Sequence, residues 1–167
     1  VLLTGNLYAN KLVESPYYES LDQAIILDRF EWADYMLSYV YSASADENRT
    51  PTITEHMERY MERLEALDSN SVPYYLAESY FNLGNTEKAF EMLDKYLDYV
   101  ASDQNAWDEA FQLMMLHSED TPEFKDGVIR IYEKLVQWNE ENMGSIQLTS
   151  TATALVEAIL SEQSQTS

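Results

Sequence analysis

The sequence predicts an all-α chain built from stacked antiparallel helix pairs, about eight helices in all. Three observations carry this. Only four Gly and four Pro punctuate the 167 residues, and they stand where helix boundaries are wanted. Apolar residues recur at helical spacing, and no segment alternates as a strand would. The connections between these runs are short, so successive helices fold back on one another.

Pro16 precedes the first apolar run, and helices are expected over residues 17–28 and 30–43. Pro51 introduces the third, 52–67, where Thr52 and Glu55 have capping-box spacing. Pro73 falls in the first turn of 72–83; a prolyl nitrogen has no proton to donate, which is harmless where the N–H groups lack helical partners anyway. Gly84-Asn85 supplies a turn that tolerates left-handed backbone, and Asn85 or Thr86 can cap 86–100. A helix over 103–117 follows, then one over 122–138 opened by Thr121-Pro122, and a last one over 146–162. Residues 17–163 read as one domain, 1–16 as a linker and 164–167 as a flexible tail.

Thirty acidic residues oppose ten basic ones, a net charge of −20. Affinity for phosphate backbones and anionic headgroups comes mainly from Lys and Arg, so nucleic acid and a bare anionic membrane are excluded as partners. The acids are dispersed, 8 against 3 bases in residues 1–50, 10 against 4 in 51–100 and 12 against 3 beyond. That distribution describes the solvent faces of amphipathic helices rather than an acidic tail. With 46% hydrophobic residues, including 13 Tyr, 5 Phe and 3 Trp, the chain buries enough surface to fold. Without Cys there is no disulfide framework, thiolate metal site or cysteine nucleophile. The longest apolar stretches are three or four residues, as at Leu113-Met114-Met115-Leu116, far short of a bilayer span.

Within residues 73–97, Leu76-Ala77, Tyr80, Gly84, Ala89 and Leu93 stand in an order that resembles a tetratricopeptide repeat. In that family a large-plus-small pair and an aromatic lie on the first helix, Gly near the turn, and a small residue opens the second. Ala77 and Ala89 lack bulk where two helices cross, letting them approach within about 8–10 Å. Thirty-nine residues upstream, Leu37-Ser38 and Tyr41 align with Leu76-Ala77 and Tyr80, and Met57, Met61 and Leu64 with the second helix. Tyr17 through Asp28 looks like the second helix of a preceding repeat. Trp107, Ala110 and Met114 with Gly127, Ile131 and Leu135 make a degenerate third unit, and the last helix would cap the stack. The resemblance implies a right-handed solenoid of helix pairs, because one such pair cannot bury its own apolar face.

Little in the sequence is set up for catalysis. His56 and His117 have no partner at metal-ligand spacing and read as helix-face or turn residues; no cofactor is implied. Residues 120–127 lack the alternate oxygen ligands of a calcium loop, and no phosphate-binding Gly-rich loop is present. Among thirty carboxylates some pair always meets a glycosidase spacing, so that observation separates nothing. Glu58, Glu62 and Glu65 lie beside Arg59 and Arg63 on what reads as a solvated face with local ion pairs. Trp32, Trp107 and Trp138 read as core.

First helices line the concave groove of the tetratricopeptide architecture, so the resemblance makes Tyr35, Tyr39, Tyr75, Glu78, Asn82 and Asp108 the candidate ligand-binding residues. Tyrosines there either offer amphipathic contact area or bury against neighbouring helix pairs. Neither 72–83 nor 103–117 contains Lys or Arg, which excludes the acidic-tail ligands some members of that family clamp. A basic or neutral protein segment is favoured, with a glycan as the other possibility. Residues 6–11 and 20–35 also look like the start of the extracytoplasmic repeat region behind the last membrane helix of bacterial O-antigen ligase and polymerase-like proteins. That resemblance implies a fragment of a larger bacterial protein on the outer side of a membrane, tethered through its N-terminus, with Val1-Leu2-Leu3 a membrane-helix stub. The expected function is thus a non-catalytic interaction domain, or alternatively an accessory domain of such a glycan enzyme.

Overall fold

The computed structural model describes residues 33–165 apart from position 68. Among the described residues there are seven helices and no strand: α1 (Ala33–Ala45), α2 (Pro51–Glu65), α3 (Val72–Asn82), α4 (Thr86–Val100), α5 (Gln104–Leu116), α6 (Pro122–Asn142) and α7 (Ser150–Gln165). The helix expected over 17–28 and the linker before it lie outside the described residues. None of the seven is long and apolar enough to cross a membrane. The chain forms two compact units, one ending at Leu67 and the other beginning at the next residue.

In the first unit α1 packs on α2. The buried stripe of α2 is His56, Met57, Tyr60, Met61 and Leu64, the spacing of one helix face. Its solvent side carries Glu58 and Glu62, with Arg59 reaching Glu55 at 3.7 Å; such an exposed pair contributes only about 0.3–0.5 kcal/mol. Thr50, not Thr52, caps this helix, its Oγ1 accepting from the Ile53 amide at 3.3 Å. Pro51 takes the first helical position, where its fixed φ is already helical, and this moves the cap upstream of the expected Thr52–Glu55 pair.

The expected seam of α1 is corrected by one residue. Met36, Val40, Ala43 and Ser44 are buried, whereas Leu37 is half-buried and Tyr41 is 45% exposed. A helix turning 100° per residue has one apolar stripe here, and choosing 36/40/43 rotates 37 and 41 to its edge. A phenol tolerates that position because its hydroxyl can remain in water.

The second unit is organised around the α3–α4 hairpin. Leu76, Ala77, Ala89 and Leu93 are each wholly buried, and Tyr80 is half-buried. Gly84 ends α3 at φ 70°, a left-handed conformation that an L side chain resists. Its amide donates to the Phe81 carbonyl and the Asn85 amide to that of Tyr80, both at 2.9 Å, which is the Schellman closure. Asn85 then caps α4, accepting from the Lys88 amide at 3.2 Å. Two residues therefore stop one helix and start the next.

Helix α4 also packs on α5 and α6, and α7 closes on both α5 and α6. Phe81, Phe90 and Phe124 meet at the centre, with ring centroids 5.4, 5.6 and 6.3 Å apart. Phe90 lies directly on the backbone of α6: a Cβ at Gly127 would stand 2.3 Å from its ring. Trp107, Ala110, Met114, Ile131 and Leu135 are buried around this cluster. Lysines tie the outer helices: Lys134 reaches Asp94 at 2.7 Å and Asp98 at 2.5 Å on α4, and Lys125 reaches Asp120 at 2.5 Å and Glu162 at 2.6 Å. Burial works against the Lys134 charge, yet the two carboxylates hold its pKa above the ordinary lysine value. Bonds to Asp120 and Glu162 push Lys125 up to about 12.

Helix α6 runs to Asn142, beyond the expected 138, and stops at Met143 with φ 48°. Helix α7 starts at Ser150 rather than 146, because the intervening chain is held otherwise. Asn139 donates to the Ile146 carbonyl and accepts its amide, at 2.9 and 3.1 Å. Gln104 does the same for Gln147, at 2.8 and 3.0 Å. With those backbone groups engaged by side chains, helix begins only after Thr149, whose Oγ1 accepts from the Ala152 amide.

Replacing Gly127 by Ala is expected to destabilise the second unit by roughly 1–3 kcal/mol, the usual range for overpacking a core. Gly84→Ala, which meets no neighbour within 4 Å, should lose only about 1–2 kcal/mol through its backbone conformation. Urea denaturation of the two variants followed by circular dichroism checks both the sign and the order.

Candidate functional site: an acid and tyrosine face

Leu76, Ala77 and Phe81 commit one side of α3 to the core, so Tyr75, Glu78 and Asn82, at i, i+3 and i+7, share the other. Tyr75 is 46% exposed; Glu78 and Asn82 are half-buried. The ring of Tyr74 stands edge-on to Tyr75 at 5.7 Å and tilts onto Tyr96 of α4 at 5.2 Å. The Tyr96 hydroxyl in turn donates to Glu109 Oε2 of α5 at 3.0 Å. A line of three phenols ending on a carboxylate thus joins α3 to α5 at one end.

His117 joins them at the other end. It caps the C-terminus of α5 and stacks flat on Phe81, with centroids 5.2 Å apart and planes 8° from parallel. Its Nε2 is buried and has no hydrogen-bond partner. Burial pushes the imidazole pKa below its ordinary value, and the pull of Glu78 and Glu119 in the other direction does not offset it. Tyr96 is shifted the opposite way: burial first, then the bond to Glu109, raise its pKa well above that of a free phenol. Near neutral pH these shifts favour the neutral phenol of Tyr96 and the uncharged imidazole of His117. Neither α3 nor α5 carries a Lys or Arg.

The candidate residues are distributed as follows. Tyr75, Glu78 and Asn82 stand together on α3. Asp108 has a structural partner, accepting at 3.1 Å from the Gln104 amide that also grips Gln147. Tyr35, 51% exposed, and Tyr39 lie on α1 in the other compact unit; the Tyr39 ring stands edge-on to Tyr60 at 5.3 Å. Tyr74, Tyr96, Glu109 and His117 complete the face and are absent from the sequence-based set. The pairing of Tyr96 with Glu109 crosses two helices, and no spacing rule announces it. Asp94 and Asp98 did carry a signal, since acids four apart on one helix share a face; with Lys134, Arg130, Trp107 and Trp138 they line a separate cleft of about 610 Å³.

Among the described residues no group of three His, Asp or Glu side chains is placed to hold a metal ion. Comparison with family models, with curated proteins and with solved structures returns no match.

Because the native pKa of His117 lies below the ordinary 6.5, the native state binds fewer protons than the unfolded state between those two values. Its contribution to stability is complete above about pH 6.5 and is lost as the pH falls toward the native pKa. The urea midpoint should drop between pH 7 and 5.5, and by less in His117→Gln.

Proposed function

We propose that this chain is a non-catalytic, tetratricopeptide-like interaction domain that binds a basic or neutral segment of a partner protein on the α3–α5 face. The observation that carries this reading is Tyr75, held 46% exposed beside Glu78 on α3, which like α5 contains no Lys or Arg. Phenols give rigid amphipathic contact area with few torsions to freeze. The surrounding carboxylates steer a cationic segment in and repel an anionic one. The buried Leu76, Ala77, Ala89 and Leu93 and the turn at Gly84 are the features that support the tetratricopeptide comparison.

Fluorescence anisotropy with a labelled Lys- and Arg-containing peptide tests the reading, with a Glu-substituted peptide and a neutral oligosaccharide as comparators. The basic peptide should bind, lose affinity as salt is raised, and bind roughly tenfold more weakly to Tyr75→Ala or Glu78→Lys, the order of magnitude for a central aromatic contact. Equal binding of the acidic peptide would overturn the electrostatic basis. Binding of the oligosaccharide alone, sensitive to Tyr75→Ala, would transfer the face to the glycan-accessory reading that the resemblance of residues 6–35 suggests.

A further inference from the structure

A second surface, sharing no residue with the α3–α5 face, lies between α6 and α7. It is a groove of about 390 Å³ whose apolar walls include Tyr132, Val136, Ile146, Leu148, Val156 and Leu160. Val136 and Leu160 are 37% and 41% exposed, so two aliphatic side chains on facing helices are offered to water. Of the polar groups at its border, the Asn139 carboxamide holds the backbone of Ile146 and the backbone of Gln147 is held by Gln104, while Thr153 and Glu157 also line it. The groove therefore combines an aliphatic wall with polar side chains at its border. Its volume suits a few aliphatic side chains, being near the lower end of the roughly 300–1,000 Å³ of small-ligand sites.

Charge selects the occupant. No Lys or Arg follows Lys134 in the sequence, whereas Glu140, Glu141, Glu157 and Glu162 do. Lys134 itself is engaged by Asp94 and Asp98. Glu157 borders the groove and is exposed. Of the charged side chains, Glu157 is the one that lines the groove, while Glu162 is paired with Lys125, so an entering apolar segment meets negative charge at Glu157. A second copy of the chain would bring another −20 against the same acidic surroundings, which opposes self-association at this place. The trough between two packed helices accepts the ridge of a third helix, and a helix lays its aliphatic stripe into such a groove through residues at i, i+3, i+4 and i+7.

We propose that the α6–α7 groove docks an amphipathic helical segment of another protein, one whose aliphatic stripe is flanked by Lys or Arg. The probe is a fluorescein-labelled synthetic helix of about 18 residues, leucines on one face and lysines beside them, titrated into the full chain at low salt. Two comparators are used, a scrambled peptide of identical composition and one with Glu in place of Lys. The patterned basic peptide should bind about tenfold or more tightly than either comparator, and Leu160→Asp or Val136→Asp should each weaken it about tenfold, as expected for losing one buried aliphatic contact. Glu157→Lys, at an exposed helix position, should weaken it several-fold and decides the matter if an aspartate variant loses its circular dichroism. Tyr75→Ala should leave this binding unchanged, which separates the groove from the α3–α5 face. Equal binding of the scrambled peptide, indifference to both Leu160→Asp and Glu157→Lys, or loss in Tyr75→Ala would overturn the proposal. So would a dimer in analytical ultracentrifugation that Leu160→Asp abolishes.

Discussion

The second unit depends on Phe90 resting against bare backbone at Gly127. Removing a single Cβ from α6 lets an aromatic ring occupy the space a side chain would fill, since the added carbon would stand 2.3 Å away. From that contact Phe90 reaches Phe81 on α3 and Phe124 at the start of α6. Rings meeting edge to face in this way gain about 0.5–1.5 kcal/mol per pair beyond their buried area. His117 then stacks on Phe81, so the end of α5 is placed by the same cluster. The position of the α3–α5 face thus follows from how closely two helices approach at one glycine.

Charge in this chain has two separate roles. Among the described residues most carboxylates lie on solvent faces, where their mutual repulsion is screened within about 10 Å at ordinary salt. Among the described residues, two lysines are instead placed at helix seams, each bound to a pair of carboxylates. Lys134 draws α6 to α4 and Lys125 draws α6 to α7. Lys134 neutralises two acids one turn apart on α4, and Lys125 an acid before α6 together with one on α7. What remains outside the seams is strongly one-sided, and the tyrosine face and the aliphatic groove both sit in that anionic environment.

Much of the architecture was legible because it is written in local chemistry. Pro51, Pro73 and Pro122 opened helices, Gly84-Asn85 closed one and began another, and Leu76, Ala77, Ala89 and Leu93 were buried as their pattern suggests. The one-residue error on α1 arose where aromatics and aliphatics alternate closely: Tyr39, Tyr41, Val40 and Leu37 satisfy two stripes almost equally, and only packing selects between them. The late start of α7 was hidden because Asn139 and Gln104 act on residues 7 and 43 positions away. Of the face, Tyr75, Glu78 and Asn82 were named through the tetratricopeptide resemblance, which left open whether Tyr75 is exposed or buried. Tyr96, Glu109 and His117 were not, because their roles arise from contacts across helices that periodicity within one helix does not encode.

The segment between α6 and α7 borrows the chemistry of a sheet without forming one. Each of Ile146 and Gln147 has both its backbone donor and its backbone acceptor matched by a single carboxamide, as a neighbouring strand would match them. These peptide groups sit outside any helix, yet their protons are not free to exchange with solvent until the carboxamide lets go. In hydrogen exchange this loop would therefore behave as part of the folded framework, its protection following the stability of α5 and α6 instead of the mobility usual for a connection.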